Sequence, residues 1–192
     1  MLTAVLDTCV LWPGLRRDFL LALAAEELFR PRWSDVTLEE LEFCEQSKLV
    51  RRGVATPVAA DRARELTAQL RGGFPGAEVT EHRRLRPLGL PDSADDHVVG
   101  AALVSGADLV VTDLADHFPS DRLPGGIAVA SPAAFADEVV ASDPRTAARA
   151  LEHVTRGRSL PDERTDVVTL LSLRYGMGQV AELLRPGWPP GH

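Results

Sequence analysis

The sequence predicts an α/β fold with a mainly parallel central sheet, followed by a C-terminal helical appendage. A short β-prone run at residues 3–8 begins the sequence. A second run at 109–112 is apolar and β-branched, as interior parallel strands are. Four helical stretches separate these two strands and further helices follow them. Strands that alternate with helices are typical of parallel sheets.

Residues 91–119 organise the prediction, because they combine a helix, a tight turn, a strand and an acidic loop. Asp92 or Ser93 can cap the helix, since a side-chain oxygen accepts from the unpaired N–H groups of a first turn. Ser93 and Asp96 have the spacing of a capping box. An apolar stripe at helical spacing follows, and Gly106 ends the helix.

The other elements of the first 142 residues are predicted from apolar periodicity bounded by caps and breakers. Pro31 breaks the first helix, and Ser34 or Asp35 caps the second. Ser131 and Pro132 start the last helix, with proline in its first turn. The predicted elements are helices at 16–29, from 35, at 56–70 and from 132, and a short strand at 127–130.

The composition changes at Asp143 and Pro144, which predicts a domain at 1–142 and a C-terminal helical extension and tail at 143–192. Within the extension, helices are expected at 144–156, 162–173 and 179–184. Residues 186–192 are expected to form a frayed tail.

The bulk composition indicates a cytoplasmic protein with a full core. Hydrophobic residues make up 45% of the 192 residues, and no apolar run of membrane-spanning length or basic, apolar leader is present. Cys9 and Cys44 are the only cysteines and do not form a C-x-x-C pair, which fits a reducing compartment. The net charge of -7 argues against coating nucleic acid by charge alone. A nuclease remains compatible with it, because bound divalent ions reverse the local sign of an acidic site.

Several acidic residues are expected near the ends of predicted strands and helices. They are Asp7, Glu40, Asp92, Asp95, Asp113 and Asp116. Three or four carboxylates brought together repel one another unless a positive group lies between them. Hard divalent ions with oxygen ligands, Mg²⁺ or Mn²⁺, meet this requirement. Two such ions about 4 Å apart can activate water and hold the leaving oxygen during phosphodiester cleavage. The phosphate-loop, dinucleotide, nucleophile-elbow and H-E-x-x-H motifs are absent from the sequence.

Four segments taken together resemble the successive acidic motifs of PIN-domain ribonucleases. They are VLDTCVL at 5–11, LEEL at 38–41, DSADDHVVGAAL at 92–103 and VVTDLADHFP at 110–119. The sequence is most similar to the VapC-like toxins of type II toxin–antitoxin systems, in the branch with a C-terminal helical extension. This resemblance implies a three-layer sandwich and a metal-dependent endoribonuclease.

The resemblance also implies a set of metal ligands and catalytic residues, namely Asp7, Glu40, Asp95 and Asp113. Asp92, Asp96, Asp116 and Thr112 are outer-shell or alternative residues, and Asp116 can fill the place of Asp113. His97 and His117 are candidates for phosphate contact. For His97, its position within a helix favours the alternative of a histidine that packs against a neighbour.

Two residues depart from the family pattern. Cys9 stands where the family usually has asparagine or serine, which predicts looser hydrogen bonding around Asp7. Asp96 replaces a common arginine, which makes the site more acidic and removes a phosphate contact.

Three functions are compatible with these residues. The first is a Mg²⁺- or Mn²⁺-dependent ribonuclease, and the second is a catalytically weak or inactive PIN-fold module that binds RNA or a protein. The third, a phosphatase with Asp7 as nucleophile, lacks the second aspartate two residues on, where Cys9 stands. The resemblance further implies a small cognate antitoxin, which inserts an arginine toward the acidic groove, and a homodimer.

Overall fold

The computed structural model describes residues 1–12, 14–84, 88–156 and 163–184. The strands are β1 (Thr3–Leu6), β2 (Arg30–Ser34), β3 (Glu78–Val79), β4 (Leu109–Val111) and β5 (Ala128–Ala130). The first helices are α1 (Thr8–Leu11), α2 (Gly14–Ala25), α3 (Asp35–Arg51), α4 (Thr56–Gly73) and α5 (Asp96–Ser105). They are followed by α6 (Pro132–Ser142), α7 (Pro144–Arg156), α8 (Glu163–Tyr175) and α9 (Gly178–Leu184). Within these residues, no helix has both the length and the apolar character needed to cross a membrane.

The strands form a five-stranded parallel sheet in the order β3-β2-β1-β4-β5. In the pairing of β1 with β4, Leu6 lies opposite Val111, so the two strands end side by side. The predicted class, α/β with a parallel sheet and C-terminal helices, is confirmed. Because parallel strands place their carboxyl ends at one edge, residues that follow β1 and β4 lie close together.

The chain divides into two compact units. The sheet unit comprises residues 3–12 and 31–129, and the helical unit comprises 1–2, 13–30 and 130–192. The division predicted between residues 142 and 143 stays a prediction.

The sheet unit has its core between β1, β4 and α5. Val5 and Val110 of the strands and Val98, Val99 and Ala102 of the helix are fully buried there. Burial of such apolar side chains stabilises the fold by about 1.5–3 kcal/mol for each large residue. This packing fixes the position of the helix start relative to the strand ends, where the acidic residues lie.

The helical unit is held together by contacts of α2 with α7 and of α8 with α9. Phe29 and Phe135 make an edge-to-face ring contact with centroids 4.8 Å apart. The backbone N–H of Val180 donates to a carboxylate oxygen of Asp137 at 3.1 Å. This unit carries none of the predicted site residues.

Several local predictions are confirmed by the caps. Ser34 caps α3 by accepting the N–H of Thr37 at 2.9 Å, and Ser131 caps α6. Gly106 ends α5 with φ of 62°, a left-handed conformation that glycine adopts at little cost.

The predicted capping box is wrong. Asp92, not Ser93, caps the first turn by accepting the N–H of Ala94 at 2.9 Å. Asp96 instead accepts the N–H of Leu88 at 3.1 Å. The short turn that Asp92 caps is a 3₁₀ helix at Ser93–Asp95, and this tighter winding precedes α5.

Two strands and one helical turn were missed, and one helix ends early. The strand β2 contains Pro31 and two arginines, so its sequence indicates the end of a helix more than a strand. The strand β3 is only two residues long, too short to show an alternation of apolar and polar residues. The helix α1 is a single turn. The predicted helix at 16–29 ends at Ala25, before Glu27, which has a positive φ of 60°. The predicted tail at 186–192 lies outside the described residues.

Candidate metal and nuclease site

Asp7 is buried directly beyond the end of β1, with 5% of its surface exposed. One of its carboxylate oxygens, Oδ1, accepts the N–H of Thr8 at 2.6 Å and so caps α1. The other oxygen, Oδ2, accepts from the Thr112 hydroxyl at 2.6 Å and the Cys9 thiol at 3.2 Å. Neutral donors therefore fix the orientation of this carboxylate without cancelling its charge.

Asp92, Asp95 and His117 form a cluster whose ligand atoms all lie within 4.8 Å of one another. Asp92 and Asp95 are placed by the 3₁₀ turn before α5, and His117 comes from the turn at Ala115–His117 after β4. The Nδ1 atom of His117 lies 2.7 Å from Oδ2 of Asp95. Two carboxylates and an imidazole are a suitable ligand set for a divalent cation.

The charge of Asp7 acts on this cluster through Asp95. Burial raises the pKa of Asp95, and the charges of Asp7 and Asp92 raise it further, against a lowering by the hydrogen bond from His117. Among the described residues, no arginine or lysine forms an ion pair with these three aspartates. The site therefore has an excess of negative charge, which a bound cation would stabilise.

Glu40 lies beside the site and is linked to it through Thr8. The Thr8 hydroxyl donates to Oε2 of Glu40, and Oε1 lies 3.5 Å from Nε2 of His97. The hydrogen bond from His97 lowers the pKa of Glu40, more than burial raises it. The other ring nitrogen of His97 lies 2.7 Å from the Ser34 hydroxyl. His97 thus contacts protein groups through both nitrogens, and its predicted phosphate contact stays a prediction.

Asp113 and Asp116 are exposed and do not belong to the cluster. The backbone N–H of Asp113 donates to the Cys9 sulfur at 3.3 Å. Thr112, by contrast, is fully buried and directs its hydroxyl at Asp7. Of the predicted ligands, Asp95 lies within the cluster, and the charge of Asp7 acts on Asp95. Glu40 is connected to Asp7 through Thr8.

The sequence interpretation gave His117 a different role, as a phosphate contact. A signal was present, because His117 follows β4 in the same acidic loop whose start lies beside Asp7. The contact with Asp95 depends on how that loop folds back over 22 residues of sequence, which no local pattern reports.

Cys9 keeps a hydrogen bond to Asp7 where looser bonding was predicted. Burial and then the charge of Asp7 raise the pKa of the Cys9 thiol to about 12. The thiol is therefore protonated at neutral pH and can donate to the carboxylate. Its 3.2 Å contact is longer than the 2.6 Å contact from Thr112, and thiols are weaker donors than hydroxyls.

A parallel sheet with an acidic cluster beyond its strand ends offers a candidate site for a divalent cation. A family model described as a PIN domain matches residues 3–113. The chain belongs to the PIN-domain family, whose members are generally metal-dependent nucleases. No curated protein and no solved structure matched the chain.

Proposed function

We propose that this protein is a metal-dependent endoribonuclease that cleaves RNA phosphodiester bonds and acts as the toxin of a toxin–antitoxin pair. The cluster of Asp92, Asp95 and His117 beside the buried Asp7 is the observation that carries the proposal. Family membership supports nuclease chemistry in general. RNA as substrate and the toxin role rest on the resemblance of the four acidic motifs.

The donor atoms fit a hard divalent cation. Asp92 and Asp95 contribute carboxylate oxygens, and Asp7 adds negative charge next to them. Carboxylate oxygens and water suit Mg²⁺ or Mn²⁺. Such a cation, when bound, supplies Lewis acidity that activates water and neutralises charge on the scissile phosphate.

The residues of this chain would hold and orient the reacting groups. Asp92, Asp95 and His117 would bind the cation, and Asp7 would complete the acidic wall. Thr112 and the Thr8 backbone fix the carboxylate of Asp7 before substrate arrives. Glu40 is held in turn by Thr8 and His97. Groups that need no reorganisation during the reaction contribute most to lowering its barrier.

The antitoxin partner and the homodimer belong to the same proposal. An arginine from a partner segment would suit three carboxylates that lack a guanidinium partner among the described residues. The cytoplasmic location expected from the sequence also remains part of the proposal.

A second candidate function is a catalytically weak PIN-fold module that binds RNA or a protein partner. One observation favours it, namely that protein donors already contact both oxygens of Asp7 and of Glu40. Ligands that must exchange such contacts for a cation bind it less tightly.

Cleavage of single-stranded RNA in Mg²⁺ or Mn²⁺ by wild type and by Asp7→Asn and Asp95→Asn tests the proposal. Asp121→Asn is the matched control, because that carboxylate lies in the same loop region with a side chain 77% exposed. We expect both site variants to lose cleavage and the control to keep it. Cleavage that persists unchanged in the site variants would refute the proposal. Isothermal titration with Mn²⁺ separates the two candidates, because saturable micromolar binding favours the enzyme and no binding favours the module.

A further inference from the structure

A cavity of about 400 Å³ opens beside the acidic site on the surface of α3. It is lined by Thr8, Val36, Glu39, Glu40, Phe43 and Cys44. Its volume lies in the range of small-molecule binding sites, about 300–1,000 Å³. Thr8 and Glu40 belong to the candidate site, and the other four lining residues have no role in the function proposed above.

The aromatic residue of the cavity is unusually exposed. Phe43 has 70% of its surface accessible, while Leu38 and Leu41 of the same helix are fully buried. Burial, and then the charge of Glu40, raise the pKa of Cys44, so its thiol is neutral and extends the apolar wall. A flat apolar side chain at the wall of a pocket offers a surface on which a planar ligand can stack.

The cavity is connected to the candidate nuclease site through Thr8. Thr8 and Glu40 line the cavity, the Thr8 hydroxyl donates to Glu40, and the Thr8 backbone N–H donates to Asp7. A strand of RNA with its scissile phosphate beside Asp7 and Asp95 can therefore place a neighbouring nucleotide at the cavity.

The charges of the cavity decide which part of that nucleotide can enter. Glu39 and Glu40 lie at its wall, so a phosphate is repelled there. A nucleobase is neutral and has a π-face that stacks on aromatic side chains. An exocyclic amino group of the base can donate to a carboxylate, as cytosine N4 does to Glu. Glu39 can accept it through Oε2, since its side chain is 67% exposed and the contact with Arg83, at 3.4 Å, involves Oε1.

We propose that this cavity is a base-binding subsite for an unpaired nucleotide next to the cleaved phosphodiester. Phe43 stacks on the base, and Glu39 favours bases with an exocyclic amino group over uracil. The subsite rests on the proposed ribonuclease function and adds a specificity determinant to it. A protein segment or a second copy of this chain are the other occupants that the experiment distinguishes.

Binding of oligocytidylate and oligouridylate of equal length tests the subsite. Fluorescence anisotropy is measured in Mg²⁺ on an Asp7→Asn background, and kcat and KM are measured on the otherwise wild-type chain. We expect Phe43→Ala to weaken oligocytidylate binding about 5- to 150-fold and to raise KM more than it lowers kcat. Phe43→Trp keeps the stacking surface and should retain affinity.

Val50→Ala is the control for Phe43→Ala. It removes a 40% exposed apolar side chain from the same helix, about 10 Å along its axis, and Val50 does not line the cavity. Its binding should equal that of the parent. Glu39→Leu should reduce the preference for oligocytidylate over oligouridylate, because the acceptor is gone.

The outcomes separate failure of the subsite from failure of the function. Metal-dependent cleavage by wild type with equal RNA affinity in Phe43→Ala and Val50→Ala overturns the subsite alone. Weakened binding in Phe43→Ala together with undiminished cleavage by Asp95→Asn supports base binding at the cavity and overturns the nuclease proposal, and with it the position of the subsite next to a cleaved bond. No RNA binding and no cleavage by wild type overturns both. A Phe43→Ala chain that loses self-association or a protein partner but keeps its RNA affinity assigns the cavity to that partner and overturns the subsite.

Discussion

Asp35 and Asp95 stand at equivalent places, each at the start of a helix of the sheet unit and each beside a histidine, yet only Asp35 also contacts an arginine and only Asp95 has other carboxylates nearby. Asp35 begins α3 and contacts Nε2 of His82 at 2.6 Å and Nε of Arg83 at 2.8 Å. Burial alone would raise the pKa of Asp35, but the hydrogen bonds from His82 and Arg83 lower it overall. Asp95 precedes α5, and its pKa is raised by burial and by the carboxylates of Asp7 and Asp92.

The difference separates a structural acid from a candidate functional one. At Asp35 the protein supplies its own donors, so the charge stabilises the folded chain. At Asp95 the nearby charges are mostly of the same sign, and the folded chain holds a carboxylate in an unfavourable place. Such a site is relieved by a cation from outside the protein, which is why perturbed pKa values cluster at functional sites.

The strongest test of this comparison is catalytic. If the proposed function holds, Asp95→Asn should lower kcat/KM for RNA by about 100-fold or more, because a metal ligand matters more than its outer-shell partners. Asp35→Asn should stay within a few-fold of wild type at a temperature where it is folded. Equal losses in the two variants would remove the distinction between the two acids.

The role of His117 is tested by metal affinity. Replacing it by Ala should weaken Mn²⁺ binding about 10- to 100-fold in isothermal titration, because a contact to Asp95 and a ligand atom are lost. His153→Ala is a suitable control, since His153 is 61% exposed and lies in the helical unit. Unchanged affinity in His117→Ala would restrict the cation site to carboxylates.

Stability should respond most at Asp35. Asp35→Asn should lower the free energy of unfolding at neutral pH by about 1.5–3 kcal/mol, the usual contribution of hydrogen bonds to a charged group. Because the folded-state pKa is lowered, this contribution is present above the unfolded value and is lost as pH falls through the folded value. Urea unfolding of wild type and variant at neutral pH and below pH 3.8 measures this difference. If the difference in free energy of unfolding between wild type and Asp35→Asn is undiminished in acid, the ionised carboxylate of Asp35 is not its source.

The smallest expected effect is on thermal stability at Asp95. Replacing this aspartate should stabilise the folded chain, whereas replacing Asp35 should destabilise it. A raised pKa means that its stabilising contribution is present at low pH and is lost as pH rises through the folded value. Asp95→Asn should therefore raise Tm at neutral pH in metal-free buffer, by about 2–4 °C for each kcal/mol recovered. Added Mn²⁺ should raise the Tm of wild type and not that of the variant. Thermal melts in EDTA and in Mn²⁺ measure both effects, and a variant that melts below wild type in EDTA contradicts the prediction.

Much of the fold could be predicted from short-range patterns. The cap at Ser34 and the helix end at Gly106 depend on interactions between residues a few positions apart, which the sequence displays directly. The strand before Asp7 could be predicted from its β-prone composition. The strands that were missed depend instead on pairing between residues far apart in the sequence. The strand β2 exists because Trp33 pairs with Glu78, and this partner lies 45 positions away.

Some residues of the candidate site could likewise be selected from the sequence, while their contacts could not. Asp7 and Asp95 could be selected because the segments that contain them resemble the acidic motifs of PIN-domain ribonucleases, and Asp7 also follows a recognisable strand. The sequence named His117 as a phosphate contact and did not predict its contact with Asp95. The ligand role of Asp113, which is exposed, stays a prediction.

The sequence by itself determined the strands β1, β4 and β5, most of the helices with several of their caps, and the set of acids available for chemistry. Only the tertiary structure decided that Asp35 meets His82 and that Asp95 meets Asp7, Asp92 and His117. The physical reason is that the energy of a charge depends on its distance to other charges and on its exposure to water. For residues far apart in the chain, both quantities are set by packing.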